Sequence, residues 1–498
     1  MKKSNIQWLV LITVIVGTFL GTIDRTIVNL ALPKMASDFG ITTALAAWIA
    51  TAYMIANAVF VPVWGKLGDT IGRKKVYIAG FIIFIFGSVL AGLSWNFSSM
   101  IVFRIIQAIA SSADVPTAMA IISVTFTDYK QRAQALGIWS SAFASAAVLG
   151  PLLGGPLIDA FGWRSVFLVN LPVGLIGLAM ALAFVQESVS DNKTRKFDWW
   201  GAMTLGTALA TFVLVLEKGQ EWGWVSVGSL FLFMITSLSV VAFYFIEKKH
   251  PEPMIDFKFF KNRHFNNALF NNCAAFMAMI GSVFLIPIFA QTFLGMDATH
   301  SGYLFIPLAM GFMISSPIGG RMIGKVKPGI IIAMSSFIAA IGFLLFWFML
   351  DPRSGVLDIT IPLAVMSFGL GFGMSQRTSI ITNSVPTNEV GMASGILTLG
   401  RNISGAIGVA LFSSVLTTIV NSKLITIAQS STINALSPGD TKIAIGLMEL
   451  KAQVSAYGTI YLISCSIIVV AGIIAFWIKS KPYVAEPGEM RDQVVIVD

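Results

Sequence analysis

The chain has 498 residues, 56% of them apolar and only 11% charged, with a mean hydropathy of +0.81, a balance no water-soluble domain of this length sustains. Lipid must be the solvent for most of it. The net charge of +9 does not mark a nucleic-acid partner, because the Lys and Arg residues stand in short links between apolar runs, as signals of membrane orientation do. Cys273 and Cys465 lie far apart inside apolar runs, which excludes a disulfide framework and a metal cluster.

In chain order, runs of roughly 20 apolar residues, long enough to cross about 30 Å of hydrocarbon as helices, number fourteen. Their expected limits are 8 to 31, 45 to 64, 76 to 95, 100 to 122, 134 to 158, 166 to 185, 199 to 216, 226 to 246, 267 to 292, 301 to 323, 329 to 349, 357 to 378, 391 to 419 and 457 to 478. The start, Met1-Lys2-Lys3 before an apolar run, resembles a signal peptide but lacks a small-residue cleavage site, so it reads as a retained first span. Basic residues cluster after the even-numbered spans: Lys66, Arg73, Lys74 and Lys75; Lys130 and Arg132; Lys193, Arg195 and Lys196; Lys248 to Arg263; Arg321, Lys325 and Lys327. Those links are expected on the cytoplasmic side, with both termini. The link 420 to 456, with Lys423, Lys442 and Lys451, departs from the pattern, and long links obey the rule less strictly.

Charged links near 187 to 198 and 247 to 266, the second carrying Pro251 and Pro253, divide the spans six, two and six. The expected organisation is a six-helix bundle over 1–186, a linker with two added spans over 187–266, and a second six-helix bundle with a short tail over 267–498.

A charge inside hydrocarbon costs at least about 2.5 kcal/mol, so each one within a span is a functional candidate. Asp24 and Asp114 are the acids clearly inside. Arg104, Gln107, Ser111 and Asp114 are spaced by three, four and three residues and share one helical face, expected to line a cavity. Asp24 lies at a depth similar to Arg104, which permits a buried ion pair, whether functional or merely locking two helices. Asp114 has no obvious basic partner in its own half at that depth, which makes it either a site of proton uptake and release or a neutral acid bonded to a neighbouring helix. Arg25 points about 100° away from Asp24. Arg377 is expected to reach the cytoplasmic boundary by snorkelling. Arg401, deeper in span thirteen, is a candidate for substrate or gating contacts.

Two Gly-rich stretches stand out. Gly65 to Lys75 makes a tight turn between spans two and three, where Asp69 can pair with Arg73 or cap a neighbouring helix. Gly150-Pro151-Leu152-Leu153-Gly154-Gly155-Pro156 combines prolines with small faces in span five. Neither is a nucleotide site, since no GxxxxGK[ST] occurs and neither follows a soluble strand. The coupling ion is then expected to be a proton, because single carboxyls do not make an oxygen-rich cation cage.

These stretches resemble the major facilitator superfamily, and within it the fourteen-span drug:proton antiporters, over nearly the whole chain. The matching segments are Asp24 to Pro33, Gly65 to Lys75, Arg104-Ile105-Ile106-Gln107, and Gly150 to Gly155. The resemblance implies proton-coupled export of lipophilic, cationic compounds by a monomer in a bacterial plasma membrane, with lipid around it and no cofactor, metal or nucleic acid. It implies that Asp24 couples protons or recognises cations, that Arg104 and Gln107 tune Asp24, that Gly65, Asp69, Gly72 and Arg73 latch the inward gate, and that Gly150, Pro151, Gly154 and Gly155 form a hinge. Ala108 and Asp114 depart from the family pattern, and the added acid suggests a second proton site or a preference for dications. A dedicated cargo (a lipid, a metabolite or a tetracycline-like compound) is the alternative within transporters. A sensor or scaffold would need a signalling domain, and an enzyme is disfavoured because His250, His264 and His300 lie at loops with no Ser-His-Asp set.

Overall fold

A computed structural model describes residues 3–190, 197–251, 253–296, 298–351, 354–386, 389–430, 438–478 and 494–497. Lys193, Arg195 and Lys196 lie outside the described residues. Backbone groups in hydrocarbon are satisfied only within helices or closed barrels, and each expected span is helical. Among the described residues thirteen helices are long and apolar enough to cross a membrane. The place of the remaining expected span, the fifth, is held by a 33-residue helix, Tyr129–Phe161.

With the expected numbering kept, the spans are one, Lys3–Phe39; two, Trp48–Ile71; three, Arg73–Gly92; four, Phe97–Thr125; five, Tyr129–Phe161; and six, Ser165–Phe184. Seven is Trp199–Trp222 and eight Val227–Lys249; then come nine, Arg263–Gln291; ten, His300–Arg321; eleven, Pro328–Met349; and twelve, Val356–Asn383. Thirteen is Val390–Ser430 and fourteen Pro438–Ala475. Short polar side chains set several starts by accepting from backbone N–H groups left free in the first turn. Asn96 accepts from Ser99, Asp128 from Gln131, Asp198 from Gly201 and Asn262 from His264, at 2.8 to 2.9 Å.

The link expected over 420 to 456 is largely helix. Span thirteen runs on to Ser430, and span fourteen begins at Pro438. Thr441 to Gln453 sets Lys442, Glu449 and Lys451 among mostly good helix formers, so the helix begins well before the expected apolar run.

Spans one to six pack on one another, as do spans nine to fourteen. Small residues allow the closest approaches: a Cβ on Gly342 or Gly369 would stand 2.4 or 2.3 Å from the backbone nitrogen of Met366 or Ala339, between spans eleven and twelve. The two bundles meet along span two against span thirteen and span five against spans ten and twelve.

Spans seven and eight pair as a hairpin, with Thr211 and Thr236 hydroxyls 2.8 Å apart. Span eight presents Leu230, Phe231 and Leu238 outward, as a lipid-facing helix does. Span seven touches both bundles. On span two, Thr51 donates to Glu217 at 3.3 Å and Lys218 lies over the Trp48 ring; on span thirteen, the Gln220 amide nitrogen donates to Thr417 at 2.7 Å and its oxygen accepts from Ser413. A short antiparallel ribbon joins Glu187–Ser190 to Val494–Val497, with Glu187 opposite Val497.

Candidate functional site

Asp24, in the middle of span one, is fully buried. Its Oδ2 accepts from Arg104 Nη1 at 2.7 Å, and its Oδ1 accepts from Gln107 Nε2 and Asn170 Nδ2, each at 2.9 Å. Gln107 also accepts from Arg104 Nη1 at 2.6 Å, so the three side chains form a closed ring of hydrogen bonds. The guanidinium lies 4.0 Å from the Tyr53 ring centre and 5.6 Å from that of Phe167, a cation–π arrangement that offsets part of its desolvation. Asn170 ties the cluster to span three through Ser88 at 3.0 Å. One carboxylate thus holds spans one, four and six together by charge-assisted bonds, the strong kind in a low-dielectric interior.

The remaining members of the polar stripe part company. Ser111 accepts from the Tyr53 hydroxyl at 2.6 Å and from Asn57 Nδ2 at 3.1 Å, both on span two. Arg25 reaches the other end of Asn57 at 3.4 Å. The helical hydrogen-bond pattern of span four is interrupted at Ser112–Ala113. Pro116 accounts for this, since it has no N–H for the Ser112 carbonyl and its ring crowds that carbonyl. Asp114 follows the break and faces spans one and three, where a pocket of about 30 Å³ is lined by Gly17, Gly21, Tyr77, Phe81, Ser111 and Asp114 itself. That volume holds a water or two. The expected continuous polar wall of a cavity is therefore divided between separate packed contacts. Thr18 is the polar neighbour of Asp114, while its Oδ1 is buried without a hydrogen-bond partner. A Cβ on Gly17 would stand 2.2 Å from the Tyr77 hydroxyl and 3.1 Å from that oxygen, so only glycine leaves the pocket open.

At the end carrying the 65–75 turn, Asp69 makes both contacts its position allows. Arg73 donates to Asp69 Oδ1 from Nη2 at 2.9 Å and from Nε at 3.3 Å. Across the bundle interface, Gly391 N and Met392 N donate to the same carboxylate at 3.2 and 2.9 Å. These are first-turn N–H groups of span thirteen, where negative charge is stabilised by the helix dipole. Gly65 lets the backbones touch, since a Cβ there would be 2.8 Å from the Gly391 carbonyl oxygen. Gly72, at φ +114, turns the chain into span three, and a Cβ there would strike the Glu187 carboxylate at 2.6 Å. Glu187 accepts from Lys74 N and Lys75 N at 3.1 and 3.2 Å.

Span five is helical throughout Gly150 to Gly155. Gly150 and Gly154 pack against Thr26 and Ile27 of span one, so these glycines serve contacts inside the first bundle; the side chain of Pro151 lies outside the described residues.

Arg377 corrects an expectation. Instead of snorkelling it is 2% exposed, donating to Asn271 Oδ1 at 2.5 Å, the Leu370 carbonyl at 3.1 Å and Ser335 at 3.0 Å. Span nine supplies the asparagine and covers the site. Arg401 donates to Asn272 and Thr378 at 3.3 and 3.1 Å, with the Phe276 ring at 5.0 Å. Asn170, Asn271, Asn272, Tyr53 and Glu187 were not singled out in the sequence; an amide inside an apolar run is the signal that marks the three asparagines.

A bundle of many membrane-length helices around a buried ionic cluster defines a polytopic membrane protein. Over residues 14–409 the chain matches the Major Facilitator Superfamily, and it belongs to that family, a family of transporters and not of enzymes. It is 33% identical over 422 residues to the multidrug transporter protein MdtP of Bacillus subtilis, covering 83% of this chain and 76% of that one. It is 32% identical to multidrug resistance protein 3 of the same organism, over 85% and 82%, and 30% identical to the riboflavin transporter RibZ of Clostridioides difficile, over 82% and 88%. The solved structure of the human organic anion transporter MFSD10 matches with a TM-score of 0.61 at 15% identity, covering 93% of this chain and 99% of that one, a likeness of fold.

Proposed function

We propose that the protein is a proton-coupled antiporter that exports lipophilic, cationic drugs by alternating access, as a monomer with both termini in the cytoplasm. The observation carrying this reading is the buried Asp24 carboxylate held by Arg104, Gln107 and Asn170. A proton arriving on Asp24 cancels its charge, and Arg104 keeps the Gln107 oxygen and the Tyr53 ring as partners. The ring of bonds can therefore open and re-form with the guanidinium still hydrogen-bonded, and the loss of its counter-charge favours return of the proton, as a reversible proton carrier in hydrocarbon requires. Asp114, with its unpaired oxygen, is the second acid that a substrate cation or proton would engage. Relatives named as multidrug transporters support drugs as the cargo.

In this reading the Asp69–Arg73 cluster with Gly65 and Gly72 latches the cytoplasmic end of the two bundles, 1–186 and 267–498, while spans within 187–266 attach to both. Gly150, Pro151, Gly154 and Gly155 form the hinge in span five about which the bundles rock. A relative named for riboflavin favours, as second reading, one dedicated cargo carried by the same mechanism.

Ethidium accumulation in cells lacking their own pumps tests it. Wild type lowers accumulation, collapse of the proton gradient abolishes the effect, Asp24→Asn is inactive though inserted, and Asp114→Asn changes cation export more than export of neutral compounds. Wild-type activity in Asp24→Asn removes that residue from coupling. No difference from empty cells moves the cargo to the dedicated-substrate reading.

A further inference from the structure

Arg377 and Arg401 are 2% and 4% exposed, and no acidic group pairs with either of them among the described residues. Every partner they have is a neutral oxygen or an aromatic ring. The described acids of the second bundle, including Asp351, Asp358, Glu389 and Glu449, stand in links, in the first turn of a span, or in the stretch of span fourteen before residue 457 where its apolar run is expected to begin. Two guanidinium charges thus sit in hydrocarbon with no counter-ion, in contrast to Arg104. Buried charges are ordinarily paired.

The hydrogen-bond inventory locates what is missing. Arg401 carries donors only, so Asn272 must turn its oxygen to Arg401 Nε, which leaves the Asn272 amide NH₂ pointing elsewhere. Both Asn272 Nδ2 and Arg401 Nη1 are buried with no acceptor. Unmet donors beside an uncompensated positive charge ask for one negatively charged acceptor. An apolar cleft of about 400 Å³, walled by Phe270, Cys273, Met277 and Ser404, lies one residue along the chain from Asn272 and one turn from Arg401, but neither side chain of the pair lines it.

We propose that Arg401 and Asn272 form a binding site for one small monovalent anion, either a free halide or the carboxylate group of a substrate. Arg377, bonded through Asn271 and Ser335, adds to the positive potential there without offering a free donor. The site lies apart from Asp24, and its test reads binding rather than transport, so it stands or falls independently of proton coupling.

The experiment is thermal unfolding of the purified full chain in lipid nanodiscs, followed by tryptophan fluorescence. Potassium gluconate is exchanged for chloride or for acetate at constant ionic strength. Ligand that binds only the folded state raises the melting temperature as its concentration rises. Wild type is expected to show a saturable rise. A response to chloride identifies a halide, and a response to acetate alone identifies a carboxylate. Asn272→Asp places a carboxylate beside Arg401 from within; it is expected to melt in gluconate as high as the anion-loaded wild type and to lose the anion response. Arg401→Gln is expected to lose the response as well; should it fail to fold, Asn272→Asp, which keeps every arginine, carries the test. A wild type indifferent to both anions, or an Asn272→Asp variant that keeps the full response, overturns the site.

Discussion

Replacing Asp69 by Asn isolates the energy that holds the two bundles together at one end. Of the four hydrogen bonds Asp69 accepts, two come from Arg73 within the first bundle, and two come from Gly391 N and Met392 N of the second. Only the second pair is lost when that end opens. Bonds to a charged group contribute about 1.5 kcal/mol each at the low end, so the pair is worth about 3 kcal/mol. Asn is isosteric, keeps one acceptor oxygen and loses the charge that the helix dipole favours, leaving a net loss of about 2 kcal/mol. At 1.4 kcal/mol per tenfold, the closed form loses about thirtyfold in its equilibrium with the open form. The assay is a distance measurement between spin labels on Ile71→Cys of span two and Ile330→Cys of span eleven, one exposed position in each bundle, with Cys273 and Cys465 replaced by Ser. Asp69→Asn is expected to transfer a large part of the distance distribution to longer values. An unchanged distribution would refute the reasoning, because it would mean the two backbone bonds do not distinguish open from closed.

Gly65→Ala should act on the same equilibrium by another force: its methyl would meet the Gly391 carbonyl oxygen at 2.8 Å, an overpacking cost of about 1–3 kcal/mol paired to closure alone, visible as the same lengthened distances with an unaltered Asp69. Asn170→Ala removes one donor to Asp24 and one to Ser88. It should cost about 1–3 kcal/mol of stability, read as a lower melting temperature, and reduce export without abolishing it because Arg104 and Gln107 remain on Asp24.

The spans were legible because crossing a bilayer demands a length and an apolarity that few other structures need, and observed limits lie within a few residues of the expected ones for most spans. The Asp24–Arg104 meeting followed from depth alone, since charges at one level in lipid seek each other. Direction around a helix was harder. Asp114 was placed on the Arg104 face by counting residues, and Pro116 broke the count. Arg377 was sent to the boundary because its distance from the span end allowed it, whereas its fate depended on Asn271 in a span more than a hundred residues away. The extensions of spans thirteen and fourteen escaped because hydropathy reports where lipid ends, not where helix ends.

Span seven bonds to Thr51 on one side and to Ser413 and Thr417 on the other, so it roofs one of the two seams where the bundles meet, while the seam between spans five and ten has no such cover among the described residues. The molecule is therefore lopsided toward the bilayer. Among the described residues, lipid meets one flank of the bundle interface shuttered by an added helix and the other bare.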